Sequence, residues 1–151
     1  MMLAALVTAQ TVAESLRLSL NDGSEAILQV VDDQRSGYRL KVDCVRRCIR
    51  PLRFAVPVGD VPMGLVDLDR DGLIYSSWGT GCCYVVRMWK VTPVGVSKVF
   101  EMGSRGVPSL ITNPRLTLVT YTRLTDANGR ETGMSLKPIR WTYRNGRFER
   151  A

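Results

Sequence analysis

The chain has 151 residues, which suits a single domain, and 45% of them are hydrophobic, which excludes a disordered polymer. Its net charge of +7 favours contact with anionic surfaces but carries no information about the fold. There is no histidine, which excludes Ser-His-Asp and Cys-His catalytic pairs and any zinc site that uses imidazole. No pair of carboxylates indicates acid–base catalysis instead, so we expect a protein that is not an enzyme.

The first 13 residues, MMLAALVTAQTVA, are uncharged and mostly apolar. The small-residue triplets that end at Ala9 and Ala13 resemble signal-peptide cleavage sites, so we predict a signal peptide over residues 1–13 and a periplasmic or secreted protein. A buried first strand or helical turn is the alternative. The run is shorter than the ~20 residues that a bilayer requires, so no membrane span is expected.

Residues 14–151 show the alternating pattern of β-strands. In SLRLSL, Leu16, Leu18 and Leu20 share one face, and in IRWTYRNGRFER the pair Asn145-Gly146 suits a type I′ hairpin turn. Turns at similar spacing predict a single all-β domain of about nine or ten short antiparallel strands, in a small propeller-like, sandwich or barrel arrangement. Residues 62–100 and 107–149 are candidates for two degenerate copies of one unit.

The segment LVDLDRDGLIYSSWG carries Asp67, Asp69 and Asp71, followed by Gly72. Alternate aspartates before a glycine form the first half of many calcium loops, because carboxylate oxygens coordinate the ion and glycine allows the sharp turn. The twelfth position of the loop is Trp78 instead of glutamate, which excludes an EF-hand. A solvated acidic turn is the alternative, in which an arginine such as Arg70 supplies the positive charge.

The four cysteines are Cys44, Cys48, Cys82 and Cys83. In an exported protein an even number predicts disulfide bonds, with three possible pairings. A four-cysteine zinc site is the competitor, but adjacent cysteines are poorly placed to reach one tetrahedral ion. Because a bond between adjacent cysteines strains the backbone, we expect two crosslinks that join the 44/48 segment to the 82/83 segment. Each would close a loop of about 35 residues and contribute about 3–4 kcal/mol.

Residues of two kinds are candidates for partner binding. Arg140, Arg144 and Arg147 are clustered near the C-terminus, and arginine is suited to carboxylates and phosphates. They predict a docking face for an acidic protein or an anionic polymer; a solvated strand face is the alternative. No aromatic strand suited to base stacking accompanies them, so nucleic acid is not expected as a partner. Trp78 is predicted to be an exposed anchor in loop 73–81, together with Tyr75 and Thr80.

The run GLVDLDRDGLIYSS resembles the aspartate turn of FG-GAP repeats, the integrin-α-like (VCBS-type) repeats of bacterial periplasmic proteins. The run SSWGTGCCYVVRMWKV is similar to a glycine-rich turn that ends in Cys-Cys in proteins of this type, some of which are lysozyme-inhibitor-like immunity proteins. The resemblance implies calcium as a cofactor, bound by the side chains of Asp67, Asp69 and Asp71 and by the carbonyl of Leu73. Tyr75 stands where these repeats usually have an acidic residue, and Gly81 where a histidine is usual.

The resemblance also implies a function, which is inhibition of a peptidoglycan-cleaving, lysozyme-like hydrolase. In that hypothesis, loop 73–81 enters the substrate cleft and an arginine pairs with the catalytic carboxylates, which most such enzymes possess. The chain is then a non-catalytic binding protein, and its partner is another protein. A calcium-stabilised structural or adhesive module of the cell envelope is the alternative, and an enzyme that uses carboxylates alone is a third hypothesis.

Overall fold

The computed structural model describes residues 11–34, 37–48, 53–57 and 60–151, and over these residues the protein is all-β, as predicted from the sequence. Most of the predicted signal peptide lies outside the described residues, and its last residues, from Thr11 to Ala13, belong to the first strand. The described residues contain twelve strands, against about nine or ten predicted: residues 73–79, predicted as part of a loop, form a strand, and a three-residue strand lies at Ser109–Ile111. No described segment is a helix of the length and apolar character that crossing a membrane requires.

The strands form three antiparallel sheets of four strands each, and in each sheet the strands pair in chain order. The N-terminal sheet consists of β1 (Thr11–Ser19), β2 (Glu25–Asp33), β3 (Gly37–Arg46) and β4 (Arg53–Pro57). The central sheet consists of β5 (Val61–Asp67), β6 (Leu73–Gly79), β7 (Tyr84–Thr92) and β8 (Gly95–Ser104). The C-terminal sheet consists of β9 (Ser109–Ile111), β10 (Thr117–Thr125), β11 (Glu131–Arg144) and β12 (Arg147–Arg150). The two segments proposed as degenerate copies each fall within one of these sheets.

Short turns join the strands within each sheet. The β11–β12 hairpin turns at Asn145 and Gly146, which have positive φ angles of 50° and 80°. Two consecutive positive φ angles are the requirement of a type I′ turn, as the sequence predicts. Asp67 ends strand β5, Asp69 and Asp71 lie in the β5–β6 turn, and the β6–β7 turn contains the adjacent cysteines, so both candidate motifs flank strand β6.

The central sheet is covered on both faces. Ile74, Trp78 and Trp89 pack with leucines and valines of the N-terminal sheet. Tyr75 and Met88 belong to a second cluster, which includes Leu118 of the C-terminal sheet. The molecule is therefore a stack in which the central sheet lies between the other two, and strand β6 is buried along nearly its whole length.

A single hydroxyl group organises the polar interior of β6. The Nε1 atoms of Trp78 and Trp89 donate hydrogen bonds to Ser76 Oγ at 2.9 and 3.0 Å. Ser76 Oγ in turn donates to the carbonyl oxygen of Arg87 at 2.7 Å. A hydroxyl has one proton and two lone pairs, so Ser76 is fully satisfied and provides acceptors for two indoles in the core.

Candidate functional site

The aspartate turn between β5 and β6 is held by its own side chains. Asp69 Oδ1 accepts hydrogen bonds from the backbone N–H groups of Asp71 and Leu73, both at 2.9 Å. The N–H of Leu68 donates to the carbonyl oxygen of Leu73 at 2.8 Å and closes the turn. The Asp69 side chain thus accepts hydrogen bonds in place of a backbone carbonyl, as aspartate commonly does in turns.

Lys90 supplies the positive charge that this acidic turn needs. Its ammonium group lies 3.3 Å from Asp69 Oδ2 and 3.9 Å from Asp71 Oδ2, and it donates to the backbone carbonyl of Asp71 at 2.8 Å. The Asp71 carboxylate also accepts hydrogen bonds from the backbone and side chain of Asn21. A lysine of the neighbouring strand β7 therefore offsets part of the charge of Asp69 and Asp71, and among the described contacts Arg70 has no ion pair with them.

Asp67 differs from the other two aspartates. Its Oδ1 atom is buried without a hydrogen-bond partner among the described residues. Burial raises the pKa of the Asp67 carboxyl above its ordinary value, and the nearby Asp69 carboxylate adds to this effect. Burial also acts to raise the pKa of Asp69, but the N–H groups of Leu73 and Asp71 and the Lys90 ammonium outweigh it, so that pKa is lowered.

Three of the four predicted calcium ligands are engaged with other groups of the protein. Asp69 Oδ1 and the Leu73 carbonyl are engaged in the turn, and the Asp71 carboxylate is directed at Asn21. Within the described ranges, no group of three or more acidic or cysteine side chains is placed to hold a metal ion. The donor types suit calcium, and the calcium site stays a prediction.

Gly72 brings the turn against strand β7. Its φ of +84° lies in the left-handed region, and a Cβ atom built at this position would lie 2.3 Å from the carbonyl oxygen of Val91. The carbonyl of Gly72 accepts a hydrogen bond from the N–H of Val91 at 2.8 Å. Glycine is thus required both for the backbone conformation and for the close approach of two backbones.

The predicted exposed loop 73–81 is wrong for most of its length, because residues 73–79 form strand β6. Trp78 is 1% exposed and Tyr75 is 6% exposed, so neither is available as an interface anchor in this fold. The physical reason is that each face of the central sheet is covered by another sheet, so both aromatic rings are enclosed. Thr80 is exposed, together with Gly81 and Cys82 in the following turn.

The expected crosslinks between the two cysteine segments are also wrong. Cys44 pairs with Cys48, with a Cα–Cα distance of 6.1 Å, and Cys82 pairs with its neighbour Cys83. Each bond closes a short local segment: the first joins Cys44, near the end of β3, to Cys48 just beyond that strand, and the second immediately precedes β7. Thr80 supports the second turn, since its backbone N–H donates to the Cys83 carbonyl and its Oγ1 accepts from the Cys83 N–H.

The C-terminal sheet places the predicted arginines on one face. In the β10–β11 register, Arg140 lies opposite Val119, whereas Trp141 lies opposite Leu118, so Arg140 and Trp141 are on opposite faces. Arg144 is four residues beyond Arg140 and therefore shares its face, and Arg147 lies directly opposite Arg144.

The three arginines differ in their partners. All are exposed, and Arg147 Nε contacts Glu149 Oε1 at 2.8 Å. In the part of the chain that the structure describes, neither Arg140 nor Arg144 forms an ion pair. These two guanidinium groups therefore present uncompensated charge to the solvent.

The most important residue that the sequence reasoning missed is Lys90. Its segment is typical of a strand, but nothing within that segment indicates that the lysine lies beside the aspartates. The signal is the strand register, in which Lys90 lies opposite Leu73, the residue after the turn glycine. A pairing of β6 with β7 drawn from the sequence would have placed its ammonium group at the aspartate turn.

Comparison of the chain with protein-family models, with curated proteins and with solved structures finds no match. The likeness to FG-GAP repeats and to lysozyme-inhibitor-like proteins is therefore neither supported nor opposed by a relative. The assignment of a function must depend on the site residues themselves.

Proposed function

We propose that the protein is a non-catalytic binding protein that contacts an acidic partner through the exposed arginines of its C-terminal sheet. The observation that carries the proposal is that Arg140 and Arg144 share one sheet face and have no ion pair among the described residues. Arginine pairs with carboxylates in a bidentate, planar geometry, and it is enriched among residues that contribute strongly to interfaces.

The overall charge supports the same proposal. A net charge of +7 speeds the encounter with an acidic partner and disfavours a basic one. The two disulfide bonds support a site of action outside the cytoplasm, where such bonds persist. Periplasmic or secreted localisation is part of the proposal.

The partner class that the sequence resemblance points to is a peptidoglycan-cleaving, lysozyme-like hydrolase. Such enzymes use a pair of carboxylates in an open cleft, which is a suitable target for a guanidinium group. Because Trp78 and Tyr75 are buried, an inhibitory contact has to use exposed groups. These are the arginine face, formed by Arg140, Arg144 and Arg147, or the turn that begins at Thr80.

The test compares two matched double variants. Arg140→Gln/Arg144→Gln removes two unpaired charges from the proposed face, and Arg47→Gln/Arg130→Gln removes two exposed arginine charges outside the strands that form it. Stoichiometric capture of one partner from envelope extract identifies the target, and calorimetry then gives its affinity. We expect the first variant to bind at least about tenfold more weakly, because two charge-assisted contacts are lost, and the control to bind nearly as the wild type does.

Equal affinities of the two double variants would overturn the arginine face as the binding surface. If the captured partner is a hydrolase, turbidity loss of a peptidoglycan suspension measures its inhibition. Binding without inhibition would reject the inhibitor function and retain the binding function.

A calcium-stabilised structural or adhesive module of the envelope is the second candidate. It is favoured by Asp67 Oδ1, a buried carboxylate oxygen without a described partner. Calcium would have to displace the Lys90 ammonium from Asp69 and Asp71, so weak binding is expected. The melting temperature should then rise at millimolar calcium, and the absence of any shift would remove this candidate.

A further inference from the structure

The β6–β7 turn carries a disulfide bond between adjacent residues. Cys82 is exposed and Cys83 is half-buried. Their Cα atoms are 3.8 Å apart, as a trans peptide requires, whereas ordinary disulfides span about 4.4–6.8 Å. A bond formed across a single peptide unit is strained by its covalent context, and strain makes a disulfide easier to reduce.

A positive charge lies beside one of the two sulfurs. Arg105 Nη1 is 3.3 Å from Cys83 Sγ. The arginine is held from two sides: its backbone N–H donates to the carbonyl oxygen of Tyr121 at 2.7 Å, and its Nη2 contacts Glu131 Oε1 at 3.0 Å. A guanidinium group fixed at this distance stabilises negative charge on the sulfur, which appears only when the disulfide is broken.

The other disulfide has a different environment. The sulfur of Cys48 lies 3.7 Å from the backbone carbonyl oxygens of Glu25 and Arg46. Carbonyl oxygens carry partial negative charge and therefore do not stabilise a thiolate. The Cα–Cα distance of 6.1 Å between Cys44 and Cys48 is an ordinary one, so this bond is the natural internal reference.

We propose that Cys82–Cys83 is a thiol–disulfide exchange site, whose substrate is a dithiol reductant. One thiolate of the dithiol attacks the exposed Cys82 sulfur, the Cys82–Cys83 bond breaks, and Cys83 leaves as a thiolate beside Arg105. The second thiol of the reductant, once deprotonated, attacks its own sulfur in the mixed disulfide. The products are the reduced Cys82–Cys83 pair and the oxidised, cyclic form of the dithiol.

The direction of attack follows from the contacts. Exchange is fastest when the leaving sulfur is the one whose thiolate is better stabilised. Cys83 meets that condition through Arg105, and Cys82 has the greater exposure to an incoming thiolate. This site is separate from the arginine face and does not depend on the binding function proposed above.

The first experiment compares the two disulfides within the same molecule. The native protein is equilibrated at pH 7 with mixtures of reduced and oxidised dithiothreitol, alkylated, digested and analysed by mass spectrometry. We expect Cys82 and Cys83 to become alkylated at a lower proportion of reduced dithiothreitol than Cys44 and Cys48. Reduction of both bonds together, or of Cys44–Cys48 first, would overturn the proposal.

The second experiment tests the positioning role of Arg105. Arg105→Gln removes the charge and Arg105→Lys retains it, while Arg123→Gln is a control that removes another contact of Glu131 without touching the sulfur. We expect the rate of Cys82–Cys83 reduction to fall about tenfold in the glutamine variant, as expected for one unit charge acting near the surface. The lysine variant should recover most of this rate, and the control should match the wild type.

Equal rates for Arg105→Gln and the wild type would reject the electrostatic role. If Arg105→Gln and Arg105→Lys slow the reduction of Cys82–Cys83 equally, the shape of the guanidinium group and not its charge is what matters, and the electrostatic role is likewise rejected. The melting temperature of each oxidised variant shows that the fold is retained, so a changed rate reports the sulfur environment.

Discussion

At the scale of single residues, the three aspartates at the end of β5 and in the turn after it have three different environments. Asp69 accepts backbone hydrogen bonds, Asp71 bonds to Asn21, and Asp67 retains an oxygen without a described partner. The pKa of Asp67 is raised, because burial disfavours its charge and the Asp69 carboxylate repels it. Similar residues at regular spacing therefore do not make three equivalent ligands.

Replacing Asp67 by asparagine should stabilise the calcium-free protein at neutral pH. A carboxyl whose folded pKa is raised contributes full stability below its unfolded pKa, near 3.8, and loses that contribution as pH rises through the folded pKa. The asparagine acquires no charge as the pH rises, so at pH 7 its melting temperature should be higher than that of the wild type. The difference should disappear when both proteins are melted below pH 3.8.

Calcium provides the complementary measurement on the same pair of proteins. If Asp67 is a ligand, millimolar calcium should raise the melting temperature of the wild type more than that of Asp67→Asn. A gain in the variant that persists at low pH would contradict the assignment of the effect to the carboxyl charge.

At the scale of elements, the β5–β6 turn and strand β7 fit together through one glycine. Two constraints meet at Gly72: its backbone has the left-handed conformation, and the carbonyl of Val91 leaves no room for a side chain. The turn geometry positions the aspartates, and β7 brings Lys90 to them, so the acidic turn depends on the pairing of two strands and not only on its own sequence.

Changing Gly72 to alanine should destabilise the protein by more than the left-handed conformation alone costs. That conformation costs a non-glycine residue about 1–2 kcal/mol, and the clash with the Val91 carbonyl adds to it because backbone atoms cannot rotate away. Gly129→Ala is the matched control, since Gly129 has a φ of +76° and a Cβ atom at that position would meet no described atom within 4 Å. Urea unfolding gives the loss of unfolding free energy in each variant. Equal losses for Gly72→Ala and Gly129→Ala would show that the contact with the Val91 carbonyl does not matter.

At the scale of the whole molecule, the three sheets are held together by packing, and neither disulfide joins one sheet to another. The two hydrophobic clusters lie on opposite faces of the central sheet. The disulfides close segments with sequence separations of 4 and 1. Short closures remove little entropy from the unfolded chain, so the sheets should remain assembled without them.

The double variant Cys44→Ser/Cys48→Ser should therefore fold, with an unfolding free energy lower by about 2 kcal/mol, the chain-entropy value for a closure of about five residues. A crosslink between the two cysteine segments would have contributed about 4 kcal/mol in the same treatment. Urea unfolding measures the loss, and a non-reducing peptide map gives the pairing. A peptide that contains Cys44 joined to one that contains Cys82 or Cys83 would contradict the local pairing.

The sequence by itself determined the fold class and the hairpin at Asn145-Gly146, because side-chain alternation and turn chemistry are local properties of the chain. The absence of histidine likewise excludes imidazole chemistry whatever the fold, since folding cannot supply a side chain that the chain lacks. Only the tertiary structure decided the burial of Trp78, since that depends on a sheet covering each face of β6. The charge partner of the aspartates and the pairing of the cysteines were decided in the same way, because each depends on which segments lie next to one another in space.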